Sequence, residues 1–171
     1  MNAISTIFPP GLPLVHGPEM TAPLAAWAAE RIPHVGEAGF GPCWAVGVVR
    51  GERLAAVVVY HDWQRVSCTV QVSIAADTPR WASRQVIGAL LGAAFEGRLG
   101  APVRKVWSAM PLNNARALRF NLGIGFRQEG TLREQFAPKV HSVICGMFDR
   151  EFHARYRQEC PDNRQIRTLA A

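Results

Sequence analysis

The sequence predicts an α+β domain: a mixed, mostly antiparallel central sheet of roughly six to seven strands flanked by helices. Three observations carry this. Residues 66–74 alternate, with Val66, Cys68, Val70, Val72 and Ile74 apolar and Ser67, Thr69, Gln71 and Ser73 polar, the period of a strand with one face in a core. Residues 79–98 place Val86, Ile87, Leu90, Leu91, Ala94 and Phe95 at helical spacing, forming a single apolar stripe. From Asn113 and Asn114 the chain passes through Ala, Leu and Arg residues to Gly123 and Gly125, as a capped short helix with a glycine stop does.

The remaining elements follow in order. Residues 1–20 are rich in Pro and Gly and carry one short strand around Leu14 and Val15. Residues 22–31 are helical in composition, with Pro23 tolerated in a first turn and Pro33 closing the segment. After a loop at 36–42, the β-rich runs 44–49 and 54–60 are joined by Arg50-Gly51-Glu52-Arg53 as a hairpin, and a second turn at 61–64 leads into the alternating strand. Thr78 caps the long helix, Pro79 takes its first position, and Gly97 and Gly100 mark its end. Residues 103–110 form a strand, and 126–136 with 140–148 form a closing hairpin across Ala137-Pro138. A single domain over 1–150 is therefore expected, with a polar C-terminal tail at 151–171.

Composition sets the outer limits. A chain of 171 residues suits one domain with a full core, and 19% charged residues beside 49% apolar ones argue for a folded domain rather than disorder. No apolar run reaches the roughly 20 residues that span a bilayer, and the first residues lack a basic start followed by an uninterrupted apolar segment. No membrane association and a cytoplasmic location are the expectation. Cys43, Cys68, Cys145 and Cys160 stand far apart with no C-x-x-C pair, so neither a metal site nor a thioredoxin-type centre is indicated, and most are expected to be buried thiols. The net charge of +6 favours anionic partners, but the arginines are spread along the chain, which fits a basic surface with an anionic cofactor site better than a nucleic-acid footprint.

The run from Asn113 to Arg133 holds an Asn at the strand exit, a short helix, and then Gly125-Phe126-Arg127-Gln128-Glu129-Gly130-Thr131-Leu132-Arg133. This order resembles the last core motif of the GNAT acyl-coenzyme A N-acyltransferase superfamily, and it looks most like the branch that acetylates protein N-termini. The resemblance spans residues 12–150 and is strongest over 66–133. It implies an α/β/α-type GNAT fold and acetyl-CoA as cosubstrate. The implied reaction is direct attack of a primary amine on the thioester in a ternary complex.

In that superfamily the coenzyme pyrophosphate lies at the start of the central helix, after an Arg/Gln-x-x-Gly-x-Gly/Ala loop. A helix N-terminus suits an anion because its free amides and positive dipole end point at the ligand. Here the corresponding residues are Thr78, Pro79, Arg80, Trp81, Ala82 and Ser83, and only the small Ser83 fits the pattern; Trp81 stands where glycine would allow close approach. Two readings follow. Either the helix tip still binds the pyrophosphate, with Arg80 and Arg84 supplying charge from one helix face, or the loop has lost coenzyme A and Trp81 is a core or interface residue. By the same resemblance, backbone amides around Ser73, Ile74 and Ala75 face the thioester and pantetheine. Asn114 aligns with the asparagine that contacts the cofactor arm, while also suiting a simple helix cap. Asn121 occupies the position where many members carry a tyrosine that acts as general acid.

For catalysis, Ser108 on the strand leading into the site is a candidate relay, and His141 on a closing strand is a candidate base. His61-Asp62 reads as a turn pair pointing apart, Asp77 as a carboxylate able to cap the helix, and Cys145 as a packed thiol. Three function classes remain: an N-acetyltransferase acting on a protein N-terminus, lysine, small amine or aminoacyl-tRNA; a nucleic-acid-modifying enzyme on the same scaffold, with Trp63 and Trp81 available to stack on bases; and a non-catalytic binding or structural protein. The last requires that no pocket open between the strands at Ile74 and Val106. A homodimer is compatible with any of them.

Overall fold

In the computed structural model, which describes residues 7–157, the chain runs β1 (Leu14–Val15), α1 (Pro18–Ala29), β2 (Cys43–Arg50), β3 (Arg53–Gln64), β4 (Thr69–Ala76), a 3-10 turn (Pro79–Trp81), α2 (Arg84–Phe95), β5 (Lys105–Pro111), α3 (Ala115–Ile124), β6 (Arg127–Ala137), β7 (Val140–Phe148) and α4 (Asp149–Tyr156). One seven-stranded sheet results, ordered β1-β2-β3-β4-β5-β7-β6. Every junction is antiparallel except β4 with β5, which are parallel. The expected α+β class, with a mixed and mostly antiparallel sheet flanked by helices, is the class observed.

Helices cover both faces of the sheet. On one face α1 lays Leu24 and Ala28 over Ala45, Val57, Val59 and Ala75. On the other, α2 is buried along Val86–Phe95 and packs with Val46, Val58, Tyr60, Val70, Val72 and Val106. The alternation along β4 explains the division: Val70 and Val72 belong to the α2 side, Ala75 to the α1 side. Buried Tyr60 donates its hydroxyl to the Leu90 carbonyl at 2.8 Å, which satisfies it inside the core, and burial raises its pKa.

Several boundaries differ from the sequence reading, each for a local reason. The first helix begins at Pro18 rather than 22, because Gly17 breaks the chain at φ 149 and Pro18 takes an opening position where a missing N–H costs nothing. β3 continues through His61–Gln64, and the turn falls instead at 65–68, where Cys68 adopts φ 51. Val66 is thus fully exposed and Cys68 exposed, rather than being inward members of a strand. The long helix is split: Thr78 Oγ1 accepts from the Arg80 amide to cap a 3-10 turn, and Ser83 Oγ accepts from the Val86 amide to cap α2 one turn later. Residues 149–156, expected to be polar tail from 151, form α4, whose fully buried Phe152 stacks on Phe95 with ring centroids 5.0 Å apart. The rest of the expected tail, and Cys160, lie outside the described residues.

The α3 helix follows its sequence pattern closely. Asn114 Oδ1 accepts from the Ala117 amide at 3.0 Å at the start, and Gly125 ends the helix in the left-handed region at φ 108. Gly125→Ala is expected to destabilise the fold by about 1–2 kcal/mol from the left-handed strain alone. A Cβ there would also meet Arg155 Cδ at 2.7 Å. A urea titration of the variant checks this.

Candidate functional site

β4 and β5 stay paired only at Thr69 with Lys105, Val70 with Val106 and Gln71 with Trp107. Beyond Gln71 they part. β5 remains paired to β7 along its whole length, up to Pro111 with Ser142, so the opening leaves the β5-facing edge of β4 without a sheet partner from residue 73 onward. An unpaired strand edge offers backbone donors and acceptors to an extended ligand. The gap is a cleft of about 660 Å³, walled by residues 73–76 on one strand and 108–111 on the other. Its size is that of an ordinary small-molecule site.

The cleft reaches both faces of the sheet. On the α1 face its mouth is formed by Arg31, Ile32, Pro33 and His34, the loop that follows α1; on the α2 face by Pro79, Trp81, Asn113, Asn114, Arg116, Ala117, Phe120 and Asn121. Of the residues singled out from the sequence, Ser73, Ile74, Ala75, Trp81, Ser108, Asn114 and Asn121 line this cleft together.

Trp81 is 2% exposed and belongs to the core, with its ring 5.5 Å from that of Phe120 and its carbonyl accepting from Arg50 Nη2 at 3.2 Å. It forms a wall of the cleft and does not fill it. Trp81 is thus not an exposed stacking aromatic, and Trp63 is half-buried against the same core. Thr78, Arg80, Ala82 and Ser83 lie on the segment entering α2, beside the cleft but not among its lining residues. Ser83 accounts for the Val86 amide, which leaves the first-turn amides of Arg84 and Gln85 without intrahelical partners. Arg84 departs from the expected role of phosphate ligand. Its Nη2 donates to the Arg155 carbonyl and its guanidinium lies 5.1 Å from the Tyr156 ring centre, so α4 holds it.

Ser108 and Asn121 form a buried pair. Ser108 Oγ donates to Asn121 Oδ1 at 2.8 Å, and Asn121 Nδ2 donates to the Ala117 carbonyl at 2.9 Å. The hydroxyl proton of Ser108 is thereby engaged, and the asparagine is anchored to α3. Ser108→Ala is expected to cost about 1–3 kcal/mol, because it leaves a buried carbonyl oxygen without its donor. Thermal unfolding measures this.

His141 does not reach the cleft. Its Nδ1 accepts from the Glu134 amide at 3.0 Å and braces the irregular stretch of the β6–β7 hairpin, where Glu134 takes φ 52. Asp77 is held by Arg31, with Arg31 Nε 2.9 Å from Oδ1 and Nη2 3.5 Å from Oδ2. Cys145 is a buried thiol, pushed above its ordinary pKa by burial and by Glu129.

Two histidines that the sequence did not assign to the site meet the α1-side mouth. His34 lines the cleft and stacks on Phe136 with ring centroids 4.0 Å apart. Burial lowers its pKa from 6.5, so at neutral pH it is a free base. His61 Nε2 lies 2.9 Å from the Oγ of cleft-lining Ser73, and burial lowers its pKa as well, against the opposing effect of Asp62. Nothing local in the sequence marks His34: its importance comes from Phe136, about a hundred residues away, the one half-buried side chain of an otherwise exposed β6.

Solved structures of acetyltransferases share this architecture. A spermidine N-acetyltransferase chimera built from a Vibrio cholerae enzyme matches with a TM-score of 0.62 at 14% identity, over 84% of this chain and 99% of its own. The V. cholerae spermidine/spermine N-acetyltransferase matches at 0.55 and 16% identity, over 74% of each chain. The ribosomal-protein-S5-alanine acetyltransferase of Vibrio fischeri matches at 0.53 and 13% identity; the match covers 63% of this chain and spans 62% of that protein's length. The chain has the GNAT fold. No protein-family model and no curated protein sequence matches it. Among the described residues no helix is long and apolar enough to cross a membrane, and no cluster of three or more His, Cys, Asp or Glu could hold a metal ion.

Proposed function

We propose that this GNAT-fold chain is an N-acetyltransferase that moves the acetyl group of acetyl-CoA to a primary amine. The observation that carries this is the two-mouthed cleft where β4 and β5 part. It supplies an unpaired backbone edge at Ser73, Ile74 and Ala75 for an extended amide-bearing arm, and it separates the approach of donor and acceptor. A non-catalytic scaffold would have needed no opening there. The acetyltransferases with this architecture support the same reading.

The pantetheine arm enters from the α2 face, between the strands. Asn114, whose Oδ1 caps α3, keeps its amide nitrogen for that arm. The diphosphate sits over the 78–83 segment and the free amides of Arg84 and Gln85. Arg80 and Arg116, which have no ion-pair partner among the described residues, supply the charge. Trp81 and Phe120 shield the cleft from water.

The amine enters from the α1 face, and its nitrogen attacks the thioester carbonyl carbon. His34 takes the amine proton, the carbon–sulfur bond breaks, and the departing thiolate, whose conjugate acid is an ordinary thiol with pKa near 8.5, is protonated from solvent at neutral pH. Protein N-termini, lysines and small amines are the acceptor class. Incubation with labelled acetyl-CoA and a panel of such amines tests the proposal; acceptor-dependent thioester loss above background is expected, and turnover equal to background with every acceptor contradicts it.

A further inference from the structure

A groove of about 800 Å³ opens beside the α1-side mouth, between α1 and the loop that leads into β2. α1 presses Leu24 and Ala28 onto the sheet and holds Trp27 against the Arg31 guanidinium at 3.6 Å, while its remaining flank turns Ala22, Ala25, Ala26 and Ala29 into the groove. The facing wall holds Phe40, and a Cβ at Gly36, Gly39 or Gly41 would meet nothing within 4 Å, so that wall stands open there. The charged residues of the lining are Glu30 and Glu37, with no cation among them, in a chain of net charge +6. Glu30 lies 3.5 Å from Arg31, and Glu37 has no ion-pair partner among the described residues. Groove and cleft adjoin. Residues 30, 36 and 37 border the one, and residues 31–34 of the same loop border the other. Phe40 of the groove packs on His61 with ring centroids 5.2 Å apart, and His61 Nε2 lies 2.9 Å from cleft-lining Ser73.

From this we infer that the acceptor is a polypeptide: its amine enters the cleft while a following stretch that combines apolar and basic side chains lies extended along the groove. The inference rests on the acyl-transfer reading above and narrows its substrate class to peptide acceptors. Length argues for a chain over a small amine. The 12 residues of α1 run roughly 18 Å, room for about five extended residues at ~3.3 Å each. The alanine flank has no long side chains to hold a peptide off, and apolar side chains gain by leaving water against it and Phe40. Glu30 and Glu37 set the sign: a lysine or arginine finds a counter-charge there, and an acidic side chain meets like charge. The mouth continues that preference, since it carries Glu30 and Asp77 against the single guanidinium of Arg31.

Calorimetric titration into the free and the CoA-loaded protein, at about 150 mM salt, tests this. The probes are an eight-residue peptide of alternating leucine and lysine with a free N-terminus, its glutamate-for-lysine counterpart, and its first three residues alone as the amide. The long lysine peptide is expected to bind at least about tenfold more tightly than either of the others. Glu37→Lys, on the exposed loop, and Ala26→Lys, on the exposed flank of α1, are each expected to weaken it about tenfold and to leave CoA affinity unchanged. Equal binding of the acidic or the three-residue peptide, no binding of the long lysine peptide, or an affinity unmoved by both substitutions overturns the inference. Failure of CoA itself to bind overturns the acyl-transfer reading instead, and the order of the peptides on the free protein still decides what the groove takes.

Discussion

His34→Ala is expected to lower kcat/KM for acetyl transfer by about 100-fold, the lower end of what a positioned proton acceptor contributes. The imidazole lines the α1-side mouth and is fixed by its stack on Phe136. Its pKa is lowered by burial, so the wild-type kcat profile should fall on the acid side only below 6.5, and that limb should vanish in the variant. kcat/KM should also rise toward about pH 8 as an N-terminal amine loses its proton. The same shift has a stability consequence. A histidine whose folded pKa lies below its unfolded value favours folding above the unfolded value and loses that contribution as pH falls through the folded one. His34→Ala should therefore melt with less acid sensitivity than the wild type. A role confined to packing would lower the melting temperature and leave the kcat limb where it was.

Phe152→Ala is expected to cost about 3–5 kcal/mol, the range for emptying a fully buried aromatic site, and to lower the melting temperature by roughly 10 °C. The ring has no exposed surface and stacks between Phe95 at 5.0 Å and Tyr156 at 5.5 Å. Its loss reaches the site through α4. Tyr156 donates to the Ile124 carbonyl at 2.7 Å and Arg155 Nη2 to the Gly123 carbonyl at 2.6 Å, so α4 anchors the end of α3, the helix that carries Asn121 in its last turn and Asn114 at its start to the cleft. Thermal unfolding followed by circular dichroism gives the stability change, and CoA affinity measured below the transition reports whether α3 has loosened.

Much of the architecture was legible because local chemistry and tertiary packing agree. Asn114, Gly125 and the Val70/Val72 alternation each state one local geometry, and the fold keeps all three. The failures arose where packing between distant segments decided. α4 is polar in composition, yet Phe152 and Tyr156 lie four apart on one helix face and meet a facing surface on α2 thinned by Gly92, where a Cβ would come within 3.2 Å of the Phe152 ring. Those two features were visible separately, but their meeting was not. Thr78 and Ser83 are both good caps; the sequence does not say which opens the α-helix, because only the burial of Trp81 between them fixes the break.

A pocket between the strands at Ile74 and Val106 was the feature expected to separate an enzyme from a non-catalytic protein, and the cleft lies there, lined by Ser73–Ala75 and Ser108. The acceptor side was not foreseen. It is built from an α1-following loop and a hairpin tip that share no local signal, and the candidate His141 proved to be spent on a backbone amide instead. Arg84 shows the reverse case: its spacing from Arg80 suggested a phosphate clamp, but the chain that would have left it free folds back as α4 and holds it.

The central claim is that the gap between β4 and β5 receives coenzyme A. Isothermal titration of CoA into the intact protein tests it most directly. The account predicts saturable one-to-one binding with a micromolar dissociation constant, accompanied by a stabilisation of about 2.7 kcal/mol at a hundredfold excess over that constant. Absence of binding heat up to millimolar CoA, with an unchanged melting temperature, would contradict it.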